Sequence, residues 1–271
     1  LKNLTIIEDT IRLVADTRDT KIDLSKLPLD DKKAFELFQR ADTVGVFQLE
    51  SGGMRRYLKE LKPSNLEDII AMVALYRPGP MELIPSYIAR KHGKEVVTYL
   101  HPRMEPIMAH TFGIGIYQEQ MMRIASDIAG FSLAEADTLR KAIGKKIKEL
   151  LDQQEVKLIA GLIKNGIPEK TARAIWDLFP PFARYGFNRS HAACYAMIAY
   201  RTAYLKAHYP TEFMSALLNS ESSDVERIGF LIGEAKKMGV EVLPPDINKS
   251  GQRFSPEGSN IRFGLDAIKN V

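Results

Sequence analysis

Residues 185–191 read YGFNRSH: two rings, a glycine, an amide, a guanidinium, a hydroxyl and an imidazole in seven positions. No acid occurs from Leu178 to Thr211. A phosphate ester is held by convergent Arg or Lys side chains, hydroxyls and free backbone N–H groups at a helix start. Asn188 or Ser190 is placed to cap a helix, which sets Arg189, Ser190 and His191 at its positive end. Tyr185 and Phe187 offer flat faces for a base or a sugar, and Gly186 lets the backbone turn between them. The plain alternative is a helix cap with two core aromatics.

A second concentration of charge lies at 138–148, TLRKAIGKKIK, with five cations and no acid. Basic residues near a helix end are expected from the macrodipole, but this density exceeds what capping requires, and like charges need an anionic partner. The chain carries a net charge of only +4. Outside these two runs it is therefore net acidic, a distribution that fits a polyanion ligand. Arg77, in the rigid turn RPGP at 77–80, stands at the end of a helix. GVFQLESGGMRR (45–56) sets Phe47, Gln48, Glu50 and Ser51 before a Gly-Gly turn. Gln118 and Gln120 read as polar-face residues of a helix that could meet nucleic acid.

Other chemistries are poorly supported. There is no G-x-x-x-x-G-K-[ST] loop, and GIGIYQEQ at 113–120 is not a dinucleotide fingerprint. The five histidines lack zinc-site spacing, and the single Cys194 excludes an internal disulfide framework. No D-x-D pair is present to share two metal ions, so no metal seat is expected. No apolar run is long enough to span a membrane, and no signal peptide pattern opens the chain, which makes a cytoplasmic location the expectation. The missing initial Met and the ending LDAIKNV are expected of a segment excised from a longer chain.

The elements that must position these residues are mainly helices. Ser64 and Glu67 make a capping box ahead of an amphipathic stretch at 65–76 that Pro78 must end. Further helices are expected at 116–129 with Gly130 as stop, from Ser132 (boxed with Glu135) to Gly144, at 147–164 and at 169–179. Pro180-Pro181 is expected to break the chain, and a long helix then runs from Ser190 to Tyr209 with Ala193, Met197, Tyr200 and Tyr204 on one face. The stretch 16–33 reads as loop, with Asp30-Asp31 as a helix start. The last part reads as a helix at 222–238, a strand at 240–243 and a hairpin turning at Glu257-Gly258-Ser259. The expected organisation is a helical body over 1–220 and a small α+β unit over 221–271.

Read in order, VFQLESGGM, ALYRPGP, IYQEQMM, DTLRKAIGKK, YGFNRSHAACYA, LKAHYPTEFM and VLPPDIN make the chain resemble the fingers domain of the family C replicative DNA polymerases, the bacterial polymerase III alpha subunits. The resemblance implies a multi-helix fingers domain belonging to a template-directed DNA polymerase whose Mg2+ ions are held by palm aspartates outside this chain. The segment alone would then be inactive and would bind no cofactor itself. It implies dNTP contacts from Arg140, Lys141, Lys145 and Lys146, and a nucleotide pocket lined by Tyr185, Phe187, Asn188, Arg189, Ser190 and His191. His191 would sense the sugar and exclude a 2′-OH. Arg77 would join the site wall, and Phe47, Gln48, Ser51, Gln118 and Gln120 would face template DNA. The implied partners are template-primer DNA, dNTP, the palm and thumb of the same chain, and a sliding clamp and clamp loader. Arg189 stands where the family more often has Lys, and Lys141 where Arg is frequent; a guanidinium brings a fork where an ammonium brings a point charge. A noncatalytic basic helical module that binds nucleic acid, or a helical interaction scaffold, are the readings from other classes.

Overall fold

The computed structural model describes residues 2–145 and 148–268. In chain order the α-helices are α1 (Lys2–Arg18), α2 (Lys32–Arg40), α3 (Gly52–Leu61), α4 (Leu66–Leu75), α5 (Ile84–Lys91), α6 (Glu105–Met108) and α7 (Gln118–Arg123). They continue with α8 (Leu133–Lys145), α9 (Lys148–Lys164), α10 (Glu169–Trp176), α11 (Phe179–Tyr185), α12 (Arg189–His208), α13 (Pro210–Ser220) and α14 (Val225–Lys237). Three short strands follow: β1 (Val242–Leu243), β2 (Ser255–Glu257) and β3 (Asn260–Arg262). The chain is thus mainly helical with a small sheet near its end.

Two compact units divide it: residues 1–66 with 197–271, and residues 67–196. In the first, α1 packs on α13, and Ile6, Ile7, Phe213, Leu217, Leu231, Phe254 and Ile261 share one core. The Arg18 guanidinium grips Glu212 through two bonds of 2.6 and 2.9 Å. In the sheet, β3 lies between β1, which it meets in parallel, and β2, which it meets antiparallel. The hairpin turns as expected, with Gly258 at φ +64°. Asp31 caps α2, its carboxylate accepting the Ala34 N–H. The Gly-Gly expected to turn instead opens α3, because Ser51 caps it by accepting the Met54 N–H at 3.3 Å.

The second unit is built on Met104, Ile107, Ile124, Leu139, Leu158, Leu162, Trp176, Phe179 and Phe182. The helix expected over 116–129 begins at Gln118 and widens after Arg123 into a π-turn over Ile124–Ile128. Two neighbours fix this bulge. Asn165 Nδ2 donates to the Ile128 carbonyl at 2.7 Å. Gly161 of α9 sits so close that a Cβ there would lie 2.2 Å from the Ala129 carbonyl oxygen. Gly130 stops the turn at φ +80°, and the Ser132–Glu135 box opens α8 as read, with Ser132 N–H on Glu135 at 2.7 Å.

Three expectations about breaks fail for local reasons. α8 passes through Gly144 to Lys145; one glycine in a helix interior costs only about 1 kcal/mol. The stretch 169–179 is two helices, and Pro180-Pro181 lie in the first turn of α11, where no intrahelical N–H is needed. In α12 the buried stripe is Ala192, Ala196, Ala199, Tyr200 and Ala203, which shares only Tyr200 with the expected face and whose alanines permit close packing. Asn188 caps α12, its Oδ1 accepting the His191 N–H at 2.8 Å.

Two outcomes are expected in denaturant titration of the chain. Gly161→Ala should lose about 1–3 kcal/mol, because the new methyl meets a backbone oxygen that cannot swing away. Asn188→Ala should lose about 1 kcal/mol while Asn188→Ser keeps most of the stability, as for a helix cap.

Candidate functional site

The second unit gathers most of the residues singled out by type and spacing. Its central feature is a parallel bridge between Tyr117 and Phe187. The Phe187 N–H donates to the Ile116 carbonyl at 3.0 Å, and the Gln118 N–H donates to the Phe187 carbonyl at 2.9 Å. Gln120 makes this possible. It is 3% exposed, and its Oε1 accepts the N–H groups of Ile116 and Tyr117 while its Nε2 donates to Thr111 Oγ1. Gln120 is therefore a buried brace and not a DNA-facing side chain: every polar atom it has is turned inward. Gln118 stays half-buried and reaches the Gly186 carbonyl at 3.4 Å.

Around the bridge a guanidinium and three rings meet in sequence. The Arg77 guanidinium lies 4.5 Å over the Phe187 ring, while its Nε donates to the Ala74 carbonyl that ends α4. Burial lowers its pKa from the ordinary arginine value, yet a guanidinium stays charged. Phe187 meets the exposed His191 edge-on at 5.4 Å, and His191 lies 4.4 Å from Tyr195. Gly186 has no room for a side chain, since a Cβ would fall 2.2 Å from the Phe182 ring.

Arg140 of α8 lines the same cleft as Gln118, Phe182 and Gly186. The basic helix and the YGFN loop, some forty residues apart in the chain, thus face one notch. The space is small, about 30 Å³, enough for one water. Lys141 is exposed on the same helix. The side chains of Lys145 and Tyr185, and Lys146 as a whole, lie outside the described residues. A second cavity of about 310 Å³ opens beside the start of α12, lined by His110, Tyr117, Glu119, Arg123, Arg189 and Ser190. Burial, and then Arg189, depress the His110 pKa. The fully buried Tyr117 hydroxyl has no hydrogen-bond partner among the described residues.

The cations do not stand unneutralised, as the acid-free sequence runs lead one to expect. Asp137, just ahead of the basic run, takes Arg140 at 2.7 Å and Lys141 at 2.7 Å, and these two cations, Lys141 first, hold its pKa below the usual carboxylate range. Arg189 meets Glu67 at 2.6 Å, and its backbone N–H meets both oxygens of Glu119. Linear sequence hid these partners because Glu67 and Glu119 are far from Arg189 in the chain. Lys206, in the same acid-free run, is used differently. Lys206, in the first unit, is 2% exposed, and its ammonium donates to the carbonyls of Asp42 and Val44 at 2.7 and 2.8 Å. Burial pulls its pKa down to about 8.

Phe47, Gln48 and Ser51 lie in the first unit. The Phe47 N–H donates to Thr202, Gln48 is exposed in left-handed backbone at φ +62°, and Ser51 is spent on the α3 cap.

Residues 3–166 match the family described as the bacterial DNA polymerase III alpha subunit finger domain, and residues 239–271 match a helix-hairpin-helix motif. The described part of that second stretch forms the strands and hairpin, with a short 3-10 turn. The chain is 50% identical over its whole length to DNA polymerase III subunit alpha of Thermus aquaticus, covering 23% of that protein. It is 50% identical to that of Bacillus subtilis, covering 24%, and 49% identical to that of Halalkalibacterium halodurans, again covering 24%. It therefore spans about a quarter of the length of these relatives. The chain belongs to the bacterial DNA polymerase III alpha subunit finger domain family.

Proposed function

We propose that this chain is the nucleotide- and template-facing segment of a template-directed DNA polymerase, and that its second unit receives the triphosphate of an incoming dNTP. The observation that carries this reading is the notch shared by Arg140, Gln118 and Gly186. It joins a basic helix to a loop whose next residues present an aromatic face and the positive end of a 20-residue helix. Arg140 and Lys141 supply charge for the phosphates, Arg140 with a fork that suits two oxygens. Phe187, held under Arg77, offers the sugar and base a flat wall. His191 stands exposed at that wall's edge, where a ribose 2′-OH would press. In the tight notch, admission requires α8 and the 186–191 loop to part. Closure on the nucleotide would then follow from the same contacts.

The divalent ions would be held by carboxylates elsewhere in the parent protein. Among the described residues no group of three His, Cys, Asp or Glu side chains could hold one. On this reading the isolated segment would be inactive. The parent would work with template-primer DNA, its own palm and thumb, a clamp and a clamp loader, in the cytoplasm; no described helix is long and apolar enough to cross a membrane. The helix-hairpin-helix match at 239–271 favours a second reading, noncatalytic nucleic-acid binding through the first unit, which would show steep salt dependence and no preference for dNTP over bare phosphate.

In the full-length parent, Arg140→Ala is expected to lower kcat/KM for dNTP by about 10- to 1000-fold, the scale of a lost donor to developing charge, with an unchanged melting temperature. His191→Ala is expected to act mainly on the ratio of dNTP to rNTP incorporation. Normal kcat/KM and normal sugar discrimination in both variants would remove the site assignment.

A further inference from the structure

Two carboxylates from distant parts of the chain converge on the start of α12. Glu119 accepts the Arg189 N–H on both oxygens, at 3.1 and 3.0 Å. Glu67 accepts the Arg189 guanidinium at 2.6 Å. These contacts span 70 and 122 residues, unlike the i,i+3 and i,i+4 pairs of Asp137, which any exposed helix makes. A helix N-terminus and a guanidinium are the two groups a phosphate takes first. Here the protein's own acids take both.

The fit is incomplete. Glu67 Oε2 is buried without a hydrogen-bond partner, an unfavourable state for half of a carboxylate. Tyr117 lines the adjoining cavity, and its fully buried hydroxyl is also unpartnered among the described residues. One acceptor and one donor are thus left unpaired beside a guanidinium held by the protein's own carboxylate. The Glu67 side chain is 42% exposed overall, so it can swing to water when displaced.

We propose that Glu67 and Glu119 are specificity-determining residues that occupy the places of phosphate oxygens at the start of α12. Only a ligand with several adjoining phosphates, able to take the Arg189 N–H and its guanidinium together, displaces both. Single phosphates, which gain one contact, do not. This inference rests on the nucleotide reading above and adds a threshold to it: the acids suppress occupancy by inorganic phosphate and monophosphates.

The test uses the full-length parent polymerase, with inorganic phosphate and inorganic tripolyphosphate as inhibitors of dNTP incorporation. Glu119→Gln and Glu67→Gln are each expected to strengthen inhibition by inorganic phosphate roughly 2- to 5-fold, the scale of one lost, partly exposed carboxylate contact to Arg189. Glu119→Asp and Glu67→Asp should stay near wild type. Unchanged or weaker inhibition in the Gln variants, at an unchanged melting temperature, overturns the inference. In the wild-type enzyme, carbodiimide labelling read by mass spectrometry gives a measure independent of variant folding. Both glutamates should become more reactive on adding tripolyphosphate, and no change in either overturns the proposal. If Arg140→Ala impairs dNTP use while the Gln variants leave inhibition unchanged, the threshold alone is lost. If Arg140→Ala has no effect, the nucleotide reading goes and the threshold with it.

Discussion

The bridge between Tyr117 and Phe187 is the contact on which the site depends. Two backbone hydrogen bonds join a loop before α7 to the loop before α12. They hold Phe187 where Arg77 can cover it, set Gly186 against the ring of Phe182, and fix the direction in which α12 begins. A single bridge would be weak alone. Gln120 reinforces it from below by satisfying the N–H groups of Ile116 and Tyr117 in the buried interior, where an unpaired amide would be costly. The arrangement is thus fixed by backbone accounting before any side chain meets a ligand.

Charge is handled by the same economy of pairing. Each described cation of the candidate site that bears on phosphate has a carboxylate beside it: Asp137 for Arg140 and Lys141, Glu67 for Arg189. Such pairs are exposed enough to be only weakly stabilising, so they can be exchanged for a more highly charged partner. The buried Lys206 shows the opposite use of a cation. It is committed to two backbone carbonyls at 42 and 44, and it anchors the stretch that leads into Phe47 and Gln48. Two cations of one acid-free run, Arg189 and Lys206, therefore serve two purposes, separated by burial.

Much of this was legible in the sequence. The helical class, the terminal hairpin, the Ser132–Glu135 box, the Asp31 start and the Asn188 cap follow from short-range chemistry, in which a side chain meets backbone three residues away. The conserved-looking strings pointed to the family without any geometry. Where tertiary packing decides, the reading failed. Gln120 looked like a surface amide because its partners, Ile116, Tyr117 and Thr111, are backbone and side-chain groups brought near only by folding. Pro180-Pro181 looked like a break because nothing local says that a helix begins one residue earlier. The π-turn at 124–128 needs Gly161 of α9 and Asn165 just after it to fix it, more than thirty residues on. Glu67 and Glu119 as partners of Arg189 had no signal in spacing at all.

The most direct measurement is a structure of the full-length parent polymerase with primed template and a bound dNTP. The expected result places the triphosphate between Arg140 and the start of α12, with Phe187 beside the sugar and Asp137 no longer holding Arg140. A triphosphate bound elsewhere, with Arg140 still on Asp137 and Arg189 still on Glu67, would contradict the account.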